Sequence, residues 1–178
     1  MAALISASAL VDMFQTFHVS AWRLETGTYS LGYEAPEFQR FKAGNPVAPP
    51  DVSWWRPWLD RVRGFKEQGK EIGRVRVDDV PPSDYQRWQL WAEPWHKDAG
   101  EDIRHLPRPH AVAVGLPSYD FWLFDNDRLV LMLFNAAGDI GSRVLIERED
   151  SPAIVAQHCA WRDLAVRNAN VAETAAAT

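Results

Sequence analysis

Three of the chain's five histidines fall in one short stretch, WHKDAGEDIRHLPRPH, residues 95–110. His96, His105 and His110 share it with Lys97, Asp98, Glu101, Asp102, Arg104 and Arg108. Imidazole and carboxylate side chains together could bind a metal or pass a proton. Zinc sites rely on close pairs such as H-x3-H on one helix face, and the stretch has none. His96 and His105 stand nine residues apart across a glycine and need not converge. The simpler expectation is a turn at Gly100 solvated by Asp98, Glu101 and Asp102, with Asp102 or Glu101 paired to Arg104 or Arg108. No metal and no cofactor is expected.

A second set of acidic groups is Asp120, Asp125, Asp127 and Asp139. Turns select aspartate for its local hydrogen bonds, which accounts for the last three. Asp120 differs, because it directly precedes an apolar run and is a candidate to line a site. Ser118 lies in GLPSYD with no G-x-S-x-G elbow around it, so serine-hydrolase chemistry is not indicated. Cys159 beside His158 on a helix points about 100° away from it and reads as an inert thiol. There is no glycine-rich phosphate loop.

Nine tryptophans are many for 178 residues. Those at Trp54, Trp55, Trp58, Trp88, Trp91 and Trp95 could form an aromatic groove, or simply core. The candidates for contact with a small ligand are Trp88, Trp91, His96, Arg104, His105 and Asp120. Between Arg56 and Arg76 the chain is locally basic: Arg61, Arg63, Lys66, Lys70 and Arg74 lie between them, against only Asp60, Glu67 and Glu71. Trp54, Arg61, Lys66 and Lys70 are the candidates for a partner surface. The whole chain carries a net charge of −5, which opposes direct binding to nucleic acid.

The elements that must position these groups follow from periodicity. Leu10, Val11, Phe14 and Phe17 predict a helix over residues 7–18, capped at Ser8. AWRLETGTYSLGY reads as a hairpin around Gly27. PEFQRFKAG gives one or two helical turns, and NPVAPPDVS is a proline-rich loop. Trp55, Trp58, Leu59, Val62 and Phe65 share one helical face, and Gly69 stops that helix. RVRV at residues 74–77 alternates as a half-buried strand does. SDYQ at residues 83–86 is a capping box, opening a helix that Pro94 should limit. DIRHL is a strand candidate. FWLF, RLVLMLF and SRVLIE form a meander with turns at residues 125–127 and 136–139. A final helix starts at Ser151 and Pro152, with Ile154, Val155, His158, Trp161 and Ala165 inward. The expected fold is α/β (α+β), a mixed β-sheet with flanking helices. Its parts are an N-terminal helix and hairpin extension over 1–50, an α/β core over 51–170 and a disordered tail over 171–178.

The single cysteine permits no disulfide, and the N-terminus lacks the basic start of a signal peptide. A cytoplasmic protein without a membrane span is expected.

The stretches AWRLET, RVRVDDVPPSDYQRWQL, AGEDIRHLPR and LPSYDFWLFDNDRLVLMLF, with the helix containing AWRDLAV, resemble an uncharacterised actinobacterial family. It is a domain of unknown function often encoded beside helix-turn-helix regulators, and the resemblance spans nearly the full length. From about residue 55 the order of elements also looks like a phospholipase D-type half-domain. That superfamily places H-x-K-x4-D at a hairpin. The contiguous His96-Lys97-Asp98 has the wrong spacing; the equivalent register is SYDFWLFD. There Ser118 stands for the nucleophilic histidine and Asp120 for the lysine, and only Asp125 agrees. The resemblance thus implies a half-domain without catalysis, because serine without a base cannot attack phosphorus and aspartate repels the substrate.

Three functions follow as expectations. The first is a non-enzymatic regulatory or sensing protein that binds a small-molecule ligand or a partner transcription regulator of the helix-turn-helix class. The second is an enzyme of specialised metabolism using Asp120 with a histidine. The third is a nucleic-acid-associated protein using the basic 56–76 face.

Overall fold

A computed structural model of the chain describes residues 2–27, 35–135 and 138–170. Its strands are β1 (Ala3–Leu4), β2 (Ser20–Glu25), β3 (Glu71–Asp78), β4 (Asp102–Pro107), β5 (Asp120–Phe124), β6 (Arg128–Phe134) and β7 (Ile140–Glu147). The helices are α1 (Ala7–Thr16), α2 (Pro36–Lys42), α3 (Arg56–Glu67), α4 (Asp84–Ala99), α5 (Arg108–Ala113) and α6 (Pro152–Asn168). All the strands join one mixed sheet in the order β1-β7-β6-β5-β2-β3-β4. This is the mixed α/β sheet with flanking helices that the sequence pattern predicts. The stretch set apart as residues 1–50 supplies β1 and β2 to this same sheet.

Two kinds of strand connection build it. β2, β3 and β4 run parallel, which demands crossovers, and α3 and α4 supply them. β5, β6 and β7 form the antiparallel meander expected from their alternating runs. Its first turn holds Asp125 and Asn126 at φ 55° and 59°, a left-handed conformation that these two residue types tolerate.

Helices cover both faces. α1 to α4 pack Phe14, Phe38, Leu59, Val62 and Trp88 against Ala21, Ile72, Trp122 and Phe124 of the sheet. On the other face α5 and α6 pack Ala111, Val155 and Ala165 against Leu24, Val75, Phe121 and Leu123. Among the described residues no helix is long and apolar enough to cross a membrane.

Several local expectations change. Ser6, not Ser8, caps α1, accepting from Ala9 N at 3.1 Å. β2 has β5 on one side and β3 on the other, so neither edge is left for a hairpin partner. The second arm of that expected hairpin lies outside the described residues, as does the tail 171–178. α4 passes through Pro94 to Ala99, because Ala92, Glu93, His96 and Ala99 are buried and packing outweighs one lost backbone bond. Gly100, at φ 108°, then ends it. Ile154 of α6 is 45 % exposed rather than inward. Most consequential is β3, which is buried from Ile72 through Val77 instead of half-buried.

Candidate functional site

β3 explains the site. Its valines, Val75 and Val77, enter the apolar layer under α5 and α6. Its arginines, Arg74 and Arg76, are two apart and therefore face the opposite layer, under α4. The parallel register sets Arg23 of β2 beside Arg74 and Glu25 beside Arg76. Four charged side chains thus share one patch of sheet, and Trp122 of β5 adjoins Arg23.

A cavity of 320 Å³ stands over this patch. Arg23, Glu25, Arg74 and Arg76 form its charged side. Phe14 of α1, Trp54 and Trp55 ahead of α3, Trp58 of α3 and Trp122 supply aromatic wall. α4 closes it with Tyr85, Trp88, Gln89, Ala92 and His96, spaced as one stripe of a 3.6-residue helix. The capping box of Ser83 and Gln86 anchors the start of that stripe, as the sequence predicts. Trp54, 54 % exposed and stacked on Trp55 at 5.0 Å, is the wall that meets solvent.

The charges are tied into a chain of contacts. Glu25 Oε2 accepts from Arg74 Nη1 at 3.0 Å and Arg76 Nε at 3.2 Å, while Gln89 Nε2 donates to Oε1 at 2.8 Å. Arg74 Nε donates to Glu101 Oε1 at 2.7 Å. The Trp55 indole can only donate, so His96 Nε2 accepts from it at 2.8 Å. That leaves His96 Nδ1–H to donate to Glu101 Oε2 at 2.7 Å. At the other end Arg76 Nη1 sits 3.6 Å from Glu93 Oε2, beyond hydrogen-bond reach. Glu93 and Asp78 hold the two ring nitrogens of His105, each at 2.6 Å.

Burial penalises every one of these charges, and the partners decide the outcome. For Glu25 burial is outweighed by Arg23, Arg76 and Arg74, which keep its carboxyl well below the usual range. Burial of Glu101 is likewise overcome by Arg74 and His96, and it falls to about 2. His105 resists charging through burial, yet its contacts with Asp78 and Glu93 raise it to about 9. Tyr85 is pushed up to about 12, by burial first and Glu25 second.

Of the residues named from sequence, Trp54, Trp55, Trp58, Trp88 and His96 line the cavity, while Trp91 and Trp95 do not. His105 and Asp120 stand behind the lining. Asp120 is 1 % exposed and accepts from Arg23 Nη2 at 2.8 Å, Thr26 N at 2.8 Å and Thr26 Oγ1 at 2.9 Å. Arg104 bonds Asp102, and Trp91 packs on Phe41 and Trp95. Glu101 does not solvate the Gly100 turn, being 3 % exposed, and Arg108 pairs with Asp79. Ser118 is exposed ahead of β5. At the far end of that strand Asp125 accepts the N–H groups of His18, Val19 and Ser20, the last two at 2.7 and 3.0 Å. Asp120 and Asp125 therefore serve opposite ends of β5 and build no joint site. In the basic stretch Arg61 is half-buried, Lys66 is exposed and Lys70 Nζ lies 4.9 Å over the Phe17 ring. The one group of ligands close enough for a metal among the described residues is half-buried Glu147 with exposed Glu149 and Asp150, and it holds no histidine.

Sequence reasoning missed Arg23, Glu25, Arg74 and Arg76. A signal was present: RVRV lies between two helix-period segments, as a central parallel strand does, and such strands are covered on both faces.

A family model described as a domain of unknown function, DUF6879, matches residues 8–174. The chain belongs to that family. None of the curated proteins matches it. Among solved structures it is similar to TrmBL2, an archaeal chromatin protein reported with a novel mode of DNA binding. The two share a TM-score of 0.53 and 10 % identity over 96 % of this chain and 54 % of that one. This chain thus spans about half the length of that protein, and the likeness is one of fold.

Proposed function

We propose that this chain is a ligand-binding module, a non-enzymatic sensor whose cavity takes one small aromatic molecule. The observation that carries this is the cavity itself. Five tryptophans line it around a patch of buried charge, in a volume at the lower end of small-molecule pockets, roughly 300–1,000 Å³. A plain core does not need arginines on a central strand, since apolar residues fill such space without the cost of burying charge. Catalysis by Asp120 with a histidine gains no support from the contacts. Asp120 meets Arg23 and Thr26, His96 meets Trp55 and Glu101, and His105 meets Asp78 and Glu93.

The test is a thermal-shift panel of one- and two-ring aromatic compounds carrying positive, neutral or negative substituents. At least one should raise the melting temperature by several degrees, as binding to the folded state requires. Gln89→Trp, which fills the cavity, should abolish that shift while remaining folded. A panel without any shift overturns the proposal.

A second reading, in a DNA-associated assembly, draws on the fold shared with a DNA-binding chromatin protein. Here Arg74 and Arg76 are spent inside the protein, and Arg63 is paired with Asp60. The exposed part of the basic face is therefore thin for duplex contact, and a partner regulator is the better carrier of it. Submicromolar, steeply salt-dependent binding of duplex DNA by the isolated chain would establish the second reading instead.

A further inference from the structure

We infer that the molecule this cavity selects is uncharged, a planar aromatic compound without an ionised group. The inference rests on the ligand-binding reading above and adds the chemical class. It follows from an aromatic wall set beside charges that the protein has already matched among themselves. Arg23 Nη2 meets Asp120 Oδ2 at 2.8 Å. Arg74 lies between Glu25 and Glu101, 3.0 Å from the first and 2.7 Å from the second. Arg76 has Glu25 at 3.2 Å and Glu93 at 3.6 Å. Glu25 in turn engages Oε2 with Arg74 and Arg76, and Oε1 with Gln89. Each guanidinium of the lining therefore has its counter-charge inside the fold.

A charged ligand meets a competitor of its own sign here. An anion has to draw an arginine away from Glu25, Asp120, Glu93 or Glu101. A cation has to draw Glu25 away from Arg74 and Arg76. An aromatic cage alone would attract a cation, but that attraction is already in use. Arg23 Cζ lies 5.7 Å and Arg74 Cζ 6.0 Å from the centre of the Trp122 ring. An ion entering this site thus loses its hydration and gains no opposite charge in exchange. An uncharged ring has little hydration to lose. The indoles of Trp55, Trp58 and Trp88 offer it flat apolar surface, which favours a ring over an aliphatic chain. Half-buried Gln89 adds an uncharged amide to the wall, suited to a neutral polar substituent.

Calorimetric titration at about pH 7 with 2-naphthamide, 2-naphthoate and 2-naphthylmethylammonium varies charge on one ring. The amide should bind about tenfold or more tighter than either ion. Gln89→Trp, which fills the cavity, should abolish binding of the amide. Gln89→Lys adds a cation beyond those the buried carboxylates hold, on a side chain long enough to keep its charge near water. It should improve 2-naphthoate relative to the amide by about tenfold. If either ion matches the amide on the unaltered protein, the uncharged class is wrong while the ligand-binding reading stands. Amide binding that survives Gln89→Trp lies outside the cavity and removes the inference. A ratio of 2-naphthoate to amide affinity unmoved by Gln89→Lys shows that matched charge is not what selects. If none of the three binds at about 1 mM, the compounds that shift melting in the aromatic panel decide instead. Uncharged ones uphold the class and ionised ones overturn it. A silent panel takes down the cavity reading and this inference with it.

Discussion

The two faces of the sheet are built from the same strands and treat them oppositely. Under α5 and α6, Leu24, Val75, Val77, Phe121 and Leu123 make a dry layer. On the reverse, the alternate residues of β2 and β3 are Arg23, Glu25, Arg74 and Arg76, beside an open cavity. Both faces hold the fold together through apolar packing. The second also buries charges that cost desolvation and leaves space unfilled beside them. Strain of that sort, retained in one place, is what marks a site.

The first way to break the comparison is to remove Glu25. Its loss leaves Arg74 and Arg76 buried and short of a counter-charge, which should cost about 3–5 kcal/mol in urea unfolding. Val77→Ala, next to Arg76 but pointing to the dry face, should cost only about 2 kcal/mol. Equal losses would mean that the charged face is ordinary core.

That contrast also shows what the sequence made legible. The meander, α3 and the capping box announce themselves because local periodicity and turn chemistry determine them. The cavity does not. Charged-apolar alternation in RVRV has the same pattern whether the charges meet water or lie beneath α4, and only the crossover helix decides between them. Trp88 and His96 could be named because large aromatic and imidazole groups in one helix attract notice. Glu25 lies in AWRLET, within the stretch that reads as a hairpin, and its partners are 49 and 51 residues away in the chain. Trp91 and Arg104 sit near the right residues in sequence, yet α4 and β4 turn them elsewhere.

The second test uses pH. His105 has its folded value raised to about 9, against about 6.5 unfolded. Its contribution is therefore complete below about pH 6.5 and is lost as pH rises through about 9. Stability should drop by about 1–3 kcal/mol across that window. His105→Gln should be less stable at pH 6 and show a flatter profile above it. The wild-type profile, followed by chemical unfolding, should be steeper than that of the variant. Matching slopes would show that the Asp78–His105–Glu93 contact contributes little. The carboxylates act at the other end: Glu25 and Glu101 titrate below their unfolded values, so their contribution is present above about pH 4 and lost as pH falls through their lowered folded values, about 2 for Glu101.

The smallest effect on stability is expected at Trp54, where the cavity meets the outer surface. Its ring is 54 % exposed and stacks on Trp55 at an interplanar angle of 10°. Truncation removes one stacked face and little buried area, so Trp54→Ala should change stability by less than about 1 kcal/mol. Two roles compete for this residue. As cavity wall, it should contribute to ligand affinity, and Trp54→Ala should weaken by about threefold an aromatic compound that raises the melting temperature in the panel. As part of an outer docking face with Arg61 and Lys66, it should leave the ligand untouched and weaken a partner regulator instead. Arg61→Glu is the control, because Arg61 is absent from the cavity lining and its charge reversal should not alter ligand affinity. A ligand affinity lowered by Trp54→Ala and unaltered by Arg61→Glu assigns Trp54 to the cavity. Unaltered ligand affinity in both, with a weakened regulator complex, moves it to the outer face and makes the aromatic pair a landmark for the partner rather than a gate for the ligand.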